Sequence, residues 1–424
     1  MQIPHHRHSY LCLLALTVAL AVALGACTRE TLLTNVSFDR DRITPNADGT
    51  TDVLKITYNL NRSAEVSITF EDAAGNRYTF RDHARRGPSV EKPYEVLFSG
   101  VVNGYTLPGE SFEDFAIENR VLPDGEYVWS VEAEDETGAT ERVTGTLTID
   151  NADVALPELR NFSVSPPVFT PNRDGISDRA KINVALSKDD TSLAVYLKDE
   201  DGTRYPVERD EQTLAREGKA GLYAFDYDAG VDDGAQPPPD GTYVVYAEAE
   251  DTVGQRTVTT TSLTIQAGGV PMAYIYNGEV EWSSQSIPLG ETLTFTLTVE
   301  NDSPAPIRTS GPPPGTVYES DQNYATLGDY IQSGVFRVGI HCENATTNYP
   351  WRWAVGDEGV LEQSDGHLYL PPFTRAVVTG GIRFEDVMGA RNPQYCWAGL
   401  IHEDVEISAV NDRVDPVSLF IEVP

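Results

Sequence analysis

The segment TPNADGTTD, Thr44–Asp52, returns as TPNRDGISD, Thr170–Asp178, with six of nine positions identical. What surrounds it returns too. NVSFD (Asn35–Asp39) and NFSVS (Asn161–Ser165) precede the two copies, and the alternating runs VLKITYNL (Val53–Leu60) and AKINVAL (Ala180–Leu186) follow them. Next come SAEVSITFEDAAGNRY (Ser63–Tyr78) and TSLAVYLKDEDGTRY (Thr191–Tyr205), each an apolar strand running into an AGN or EDG turn. Each copy closes on PDGEYVWSVEAEDETG (Pro123–Gly138) or PDGTYVVYAEAEDTVG (Pro239–Gly254), then a threonine-rich strand. A chain that repeats its turns and strands in one order folds as two copies of one unit. Period-two alternation, β-branched and aromatic residues, and closely spaced Gly, Asp and Asn turns make that unit a β-sandwich.

The order PNxDGxxD, strand, strand–turn–strand, PDGxYxxxxxAxDxxG, strand resembles the Ig-like domain of flagellar hook-cap (FlgD-type) proteins and of many bacterial surface proteins. The resemblance covers Asn35 to Gln266. That family usually places a Trp-Asp-Gly turn before the PDG hairpin, where this chain has Phe98-Ser99-Gly100 and Phe225-Asp226-Tyr227. It implies an Ig-like sandwich used as a spacer or assembly module, without enzymatic chemistry. From about Gly269 both signatures stop. ETLTFTLTVEND (Glu291–Asp302) resembles the opening strand of extracellular Ig-like modules, and GVFRVGIHC, RAVVTGGIRF, YCWAGLI and VSLFIEV read as further strands. Helix signals are nearly absent. The expected fold is therefore all-β, with three tandem Ig-like sandwiches at 35–152, 153–268 and 269–424.

The N-terminus reads differently. A basic head containing His5, His6, Arg7 and His8 precedes an uncharged apolar run from Leu11 to Gly25, the length of a secretory signal and short for a membrane span. It ends in Leu24-Gly25-Ala26-Cys27, which resembles a bacterial lipobox. The resemblance implies that residues 1–26 are a lipoprotein signal peptide and that Cys27 is lipidated. Residues 27–34 are then a short tether. An ordinary signal peptide with an incidental cysteine is the other reading. With Cys12 in the signal and Cys27 under lipid, Cys342 and Cys396 remain as one pair in an exported chain. A disulfide is the simple reading and two buried thiols the alternative.

Lys plus Arg total 31 against 65 Asp plus Glu, a net charge of -34. Such a surface repels nucleic acid and attracts divalent cations. The repeated nonapeptide offers Asn46, Asp48 and Asp52 in one copy and Asn172, Asp174 and Asp178 in the other. Their N-x-D-G-x-x-D order overlaps the first half of an EF-hand loop, but the closing Glu is missing. Two readings stand: a calcium site, or a turn in which Pro presets a dihedral, Asn and Asp cap amides, and Gly takes positive φ. No other cofactor is implied. Arg77, Arg81, Arg85, Arg86 and Lys92 form a basic segment that either faces lipid headgroups or pairs with nearby acids. In NYPWRWAVG, strand alternation puts Tyr349, Trp351 and Trp353 on one face, as a ligand platform or as core. No GxSxG, HExxH, Walker-type or GxGxxG motif occurs.

These readings converge on a non-enzymatic surface lipoprotein, held to the membrane by its lipid anchor and exposed on the extracellular or periplasmic side. Its role would be structural, adhesive or binding, toward protein or glycan at the cell surface. The two repeats form a stalk and the third domain the presenting end. A carbohydrate-binding lipoprotein is the rival, and a glycoside-active enzyme a further one, since carboxylate pairing is invisible in sequence.

Overall fold

The computed structural model describes residues 31–89, 91–209 and 215–423. Among them there is no α-helix; two 3-10 turns, Tyr276–Gly278 and Tyr324–Thr326, interrupt an otherwise all-β chain. No helix among these residues is long and apolar enough to cross a membrane.

In the first sandwich one sheet has the order Leu33–Phe38, Leu54–Leu60, Tyr94–Phe98. The facing sheet runs Arg42–Ile43, Thr140–Ile149, Gly125–Asp135, Ala64–Glu71, Arg77–Arg86. Alternation sends Leu54, Ile56 and Tyr58 from one sheet and Val66, Ile68, Phe70, Trp129 and Val131 from the other into a common core. Phe70 stacks on Phe98 there with ring centroids 4.3 Å apart. The second sandwich repeats this plan. Leu159–Ser165, Ala180–Leu186 and Gly221–Tyr227 form one sheet, while Thr191–Lys198 and Gly241–Asp251 carry the other. The short strand Val168–Phe169 runs parallel to the end of Arg256–Ile265, as Arg42–Ile43 does to the end of Thr140–Ile149. A hairpin, Val101–Asn103 with Ala116–Val121, belongs to the first copy alone. No repeat signal announced it.

The third region is a sandwich as well. Thr292–Asn301 pairs with Arg375–Arg383 over nine registered positions in one sheet. The other sheet is built on Phe336–Cys342, Gln394–His402 and Val414–Glu422. Cys342 stands directly opposite Cys396 in neighbouring antiparallel strands, and the two are disulfide-bonded. The bond therefore staples one sheet and does not cross the core.

By compactness the chain divides into two units. One runs to Pro157 and takes in the hairpin tip Glu250–Thr257; the other comprises Glu158–Ala249 and the chain from Val258 onward. The second unit thus holds the body of the second repeat together with the third sandwich.

Candidate functional site

The two nonapeptides close on themselves by closely similar bonds. In the first, the Asp52 carboxylate accepts the backbone N–H groups of Asn46, Ala47 and Gly49 at 3.2, 3.0 and 2.7 Å. The Asp48 carboxylate accepts from the Thr50 N–H and from the Asn46 side chain, and the Asn46 carbonyl oxygen accepts from the Asp48 N–H. In the second, Asp178 accepts from Asn172, Asp174 and Gly175, the last at 2.7 Å, and Asp174 accepts from Ile176. Thr44 and Thr170 tie the turn shut by donating to the carbonyls of Thr50 and Ile176. Gly49 and Gly175 sit at φ 83° and 81°, which explains the glycine that both copies share.

This geometry accounts for Asn46, Asp48, Asp52, Asn172, Asp174 and Asp178 as turn residues whose side chains are engaged by the protein's own donors and acceptors. Calcium needs about six to eight oxygens converging on it. Here each carboxylate oxygen of both copies accepts an N–H or O–H donor of the protein. Among the described residues no three His, Cys, Asp or Glu side chains converge as metal ligands.

The other shared residues have equally local duties. Tyr127 and Tyr243 donate their hydroxyls to the carbonyls of Pro123 and Pro239, four residues upstream in the PDGxY motif. The aspartates of that motif hold the chain as it leaves each sandwich: Asp124 accepts from the Ala152 N–H, and Asp240 from those of Ala267 and Gly268. Asp135 and Asp251 each collect the amides of their own hairpin turn.

What differs between the copies is their surroundings. The first turn is largely exposed. In the second, Asn172 and Asp174 are only 3 % and 4 % exposed, because the turn is pressed against the third sandwich. Tyr369 donates its hydroxyl to Asp174 Oδ2 at 3.0 Å, and His402 Nε2 donates to the Arg173 carbonyl at 2.8 Å. Backbone meets backbone at two glycines. A Cβ at Gly334 (φ 76°) would lie 2.1 Å from the Asp174 carbonyl carbon, and one at Gly175 2.6 Å from the Ser333 oxygen. The connecting chain is held too: the Gly269 N–H donates to the Pro171 carbonyl and the Asn172 side chain to that of Ala267. Burial raises the Asp174 pKa, and burial with the Asp174 charge beside it pushes Asp178 up to about 6. Burial pushes His402 down to about 4, so its ring is neutral and stacks on Phe336 at 4.1 Å.

Tyr349, Trp351 and Trp353 are not a ligand surface. Trp351 and Trp353 have no exposure and point into the core of the third sandwich. Trp353 lies edge-on to Phe295 and Tyr318, and its indole N–H donates to the Thr316 carbonyl at 2.9 Å. Tyr349 does not share their face. It has φ 46°, which breaks strand alternation, and its ring lies across the registered glycines Gly339 and Gly399 on the outer side of the sheet. Its hydroxyl donates to Asp412 and accepts from the Arg413 N–H.

Sequence reasoning missed the joint residues Tyr369, His402 and Gly334, and a buried ionic triad. Arg337 and Arg352 both donate to Glu403, and both guanidinium groups lie over the Tyr324 ring. The four arginines of the basic segment lie on the edge strand Arg77–Arg86, with Lys92 beyond it, and Arg85 pairs with Glu136 at 3.1 Å. Cys27 lies outside the described residues.

No family model matches the chain, and no curated protein matches it. Solved structures do. The tetra-tandem repeat from the extending region of a large adhesion protein is 12% identical, with 87% of this chain and 80% of that one covered and a TM-score of 0.18. A Ca2+-stabilised adhesin with which an Antarctic bacterium binds ice is 12% identical, with 92% and 74% covered and a TM-score of 0.23. A structure describing host cell surface retention of a 1.5-MDa bacterial ice-binding adhesin is 14% identical, with 93% and 100% covered and a TM-score of 0.20. No function is carried over from them.

Proposed function

We propose that this chain is a non-enzymatic, lipid-anchored surface protein, in which Ig-like repeats of the hook-cap type hold a third sandwich away from the membrane. The observation that carries the reading is the pinned joint. The second corner is buried beneath Gly334, Tyr369 and His402, and the chain that follows it is tied at Ala267, Gly268 and Gly269. Fixing a terminal domain against its neighbour is what a presenting stalk requires, because a floppy joint would lose orientation at each encounter with a partner. The shared polar residues described above are engaged in turns and linkers, and none of them converges on a reacting centre.

The anchor rests on Cys27. Cys27→Ala should move the protein from the membrane to the soluble fraction, and a variant that stays fully membrane-bound would overturn the anchoring half of this reading. A glycan role resting on Tyr349, Trp351 and Trp353 has lost its platform, since those rings are buried.

A further inference from the structure

The first sandwich grips its chain from Thr31 onward. The Asn61 side chain donates to the Thr31 carbonyl at 2.6 Å, and the Asn61 N–H to the Leu32 carbonyl at 3.0 Å. Glu141 Oε2 accepts the N–H groups of Leu32 and Leu33, and both leucine side chains are buried. Cys27 stands only four residues before Thr31. At ~3.5 Å per residue that is a reach of roughly 14 Å.

The same end of the sandwich carries the basic segment. Leu33 pairs with Leu60, and Ser89 exchanges two hydrogen bonds with Leu60. Across the Asn61–Ser63 turn, Ala64 pairs with Arg86 on one side and Asp135 on the other. Arg85 and Arg86 thus finish their strand here, and Lys92 follows just before the strand Tyr94–Phe98 begins. Arg77–Arg86 and Tyr94–Phe98 are each the outermost strand of their sheet, and residues 87–93 join them along one flank.

The acids of this end are largely committed. Glu141 holds the entering chain, and Asp135 accepts from Arg62 and from the amides of its own turn. Glu65 and Glu134 are registered neighbours on the outer face of the sheet, and Glu91 lies beside Lys92. Glu136 pairs with Arg85, but in a fully hydrated contact that is worth little. Exposed charges more than about 8 Å away are screened at physiological ionic strength, so the composition of this flank, and not the net charge of -34, decides what it attracts.

We propose that this end of the first sandwich docks on the headgroups of anionic lipid, with Arg85, Arg86 and Lys92 against the phosphates. The inference rests on the anchored reading for its setting. A tether of this reach keeps the flank within contact range, so a contact too weak to recruit a free protein is still populated.

The test supplies the tether chemically and so does not depend on lipid at Cys27. A hexahistidine tag replaces residues 1–27, and the chain is held on phosphatidylcholine vesicles bearing nickel-chelating lipid, with or without phosphatidylglycerol. A donor dye on Ser63→Cys or Glu126→Cys, both exposed positions, transfers energy to an acceptor on the headgroups. Ala64 is registered with Asp135, and the strand from Glu126 to Asp135 sets the two dyes about 30 Å apart. With phosphatidylglycerol present, transfer from position 63 should far exceed that from 126, and added salt should close the gap. Arg85→Gln and Lys92→Gln should each lower the ratio of docked to undocked chain about fivefold, the equivalent of about 1 kcal/mol per basic side chain. Glu136→Gln, which releases Arg85, should raise it. Thermal unfolding should be nearly unchanged, because all three side chains are exposed. Equal transfer from the two positions would overturn the proposal, as would an orientation that is the same on both lipids and indifferent to the substitutions. A tagged chain that docks, beside a Cys27→Ala protein that stays membrane-bound in cells, would remove the anchor and leave this surface standing.

Discussion

Gly334→Ala is the sharpest perturbation of the joint. The residue sits at φ 76°, where a side chain costs roughly 1–2 kcal/mol. The larger effect is steric. The added methyl would fall 2.1 Å from the Asp174 carbonyl carbon, 2.3 Å from its oxygen and 2.4 Å from the Gly175 nitrogen. Carbon–carbon contacts settle at about 3.5–4.0 Å, so the two backbones must part by more than about 1 Å. All three of these atoms are main chain, and no rotamer change relieves them. Parting the loops breaks Tyr369 to Asp174 and His402 to Arg173. A bond to a charged group is worth about 1.5–3 kcal/mol and a neutral one about 0.5–1.5 kcal/mol, so the joint loses roughly 2–4 kcal/mol. Paired spin labels on the exposed positions Thr260 and Val377 would report it, as a narrow distance distribution that broadens in the variant. A double-mutant cycle supplies the energy. Tyr369→Phe should cost about 1.5–3 kcal/mol in the parent and almost nothing once Gly334→Ala has opened the joint. Unchanged distances together with additive effects would refute the reasoning.

Two further outcomes follow from the same geometry. Trp353→Ala should cost about 3–5 kcal/mol in denaturant unfolding of the third sandwich, because it empties a site between Phe295 and Tyr318 and removes one of the two donors to the Thr316 carbonyl; a loss below about 1 kcal/mol would mean the ring is not core. Asp178, raised to about 6, contributes stability that is full below its unfolded value near 4 and lost as pH rises through 6. His402, lowered to about 4, contributes stability present above about 6.5 and lost as pH falls through 4. Between pH 6 and 4 the two oppose each other. Acidification over that window should therefore shift the stability difference in favour of the parent over Asp178→Asn, and against the parent over His402→Gln, with equal slopes for both variants ruling the assignment out.

Much of the fold could be read from local pattern. Leu54, Ile56 and Tyr58 alternate in the sequence and point into the core in the structure, because one face of each sheet is buried and register follows. The corner was legible as a turn for the same reason: Thr, Asn, Asp, Gly and Asp at those spacings satisfy their own amides without help from elsewhere. What was not legible depended on distant partners. Tyr349 was placed with Trp351 and Trp353 by alternation, but its positive φ turns it over Gly339 and Gly399, and only the assembled sheet shows that those glycines are paired. Arg337, Arg352 and Glu403 look like ordinary strand charges until three separate segments bring them into one triad.

The two corners sharpen this point. Their internal hydrogen bonds match almost atom for atom, so the nonapeptide determines its own shape in either place. It does not determine what lies against that shape. The second copy is buried because Ser333–Gly334 can approach its backbone without a side chain between, and because Tyr369 and His402 bring donors to it. None of those residues is near the motif in sequence. A turn that satisfies its own polar groups leaves an outer surface with few unmet demands, and such a surface can be left in water or covered by a neighbour at little cost in lost hydrogen bonds. Reuse of one module in different settings depends on that property.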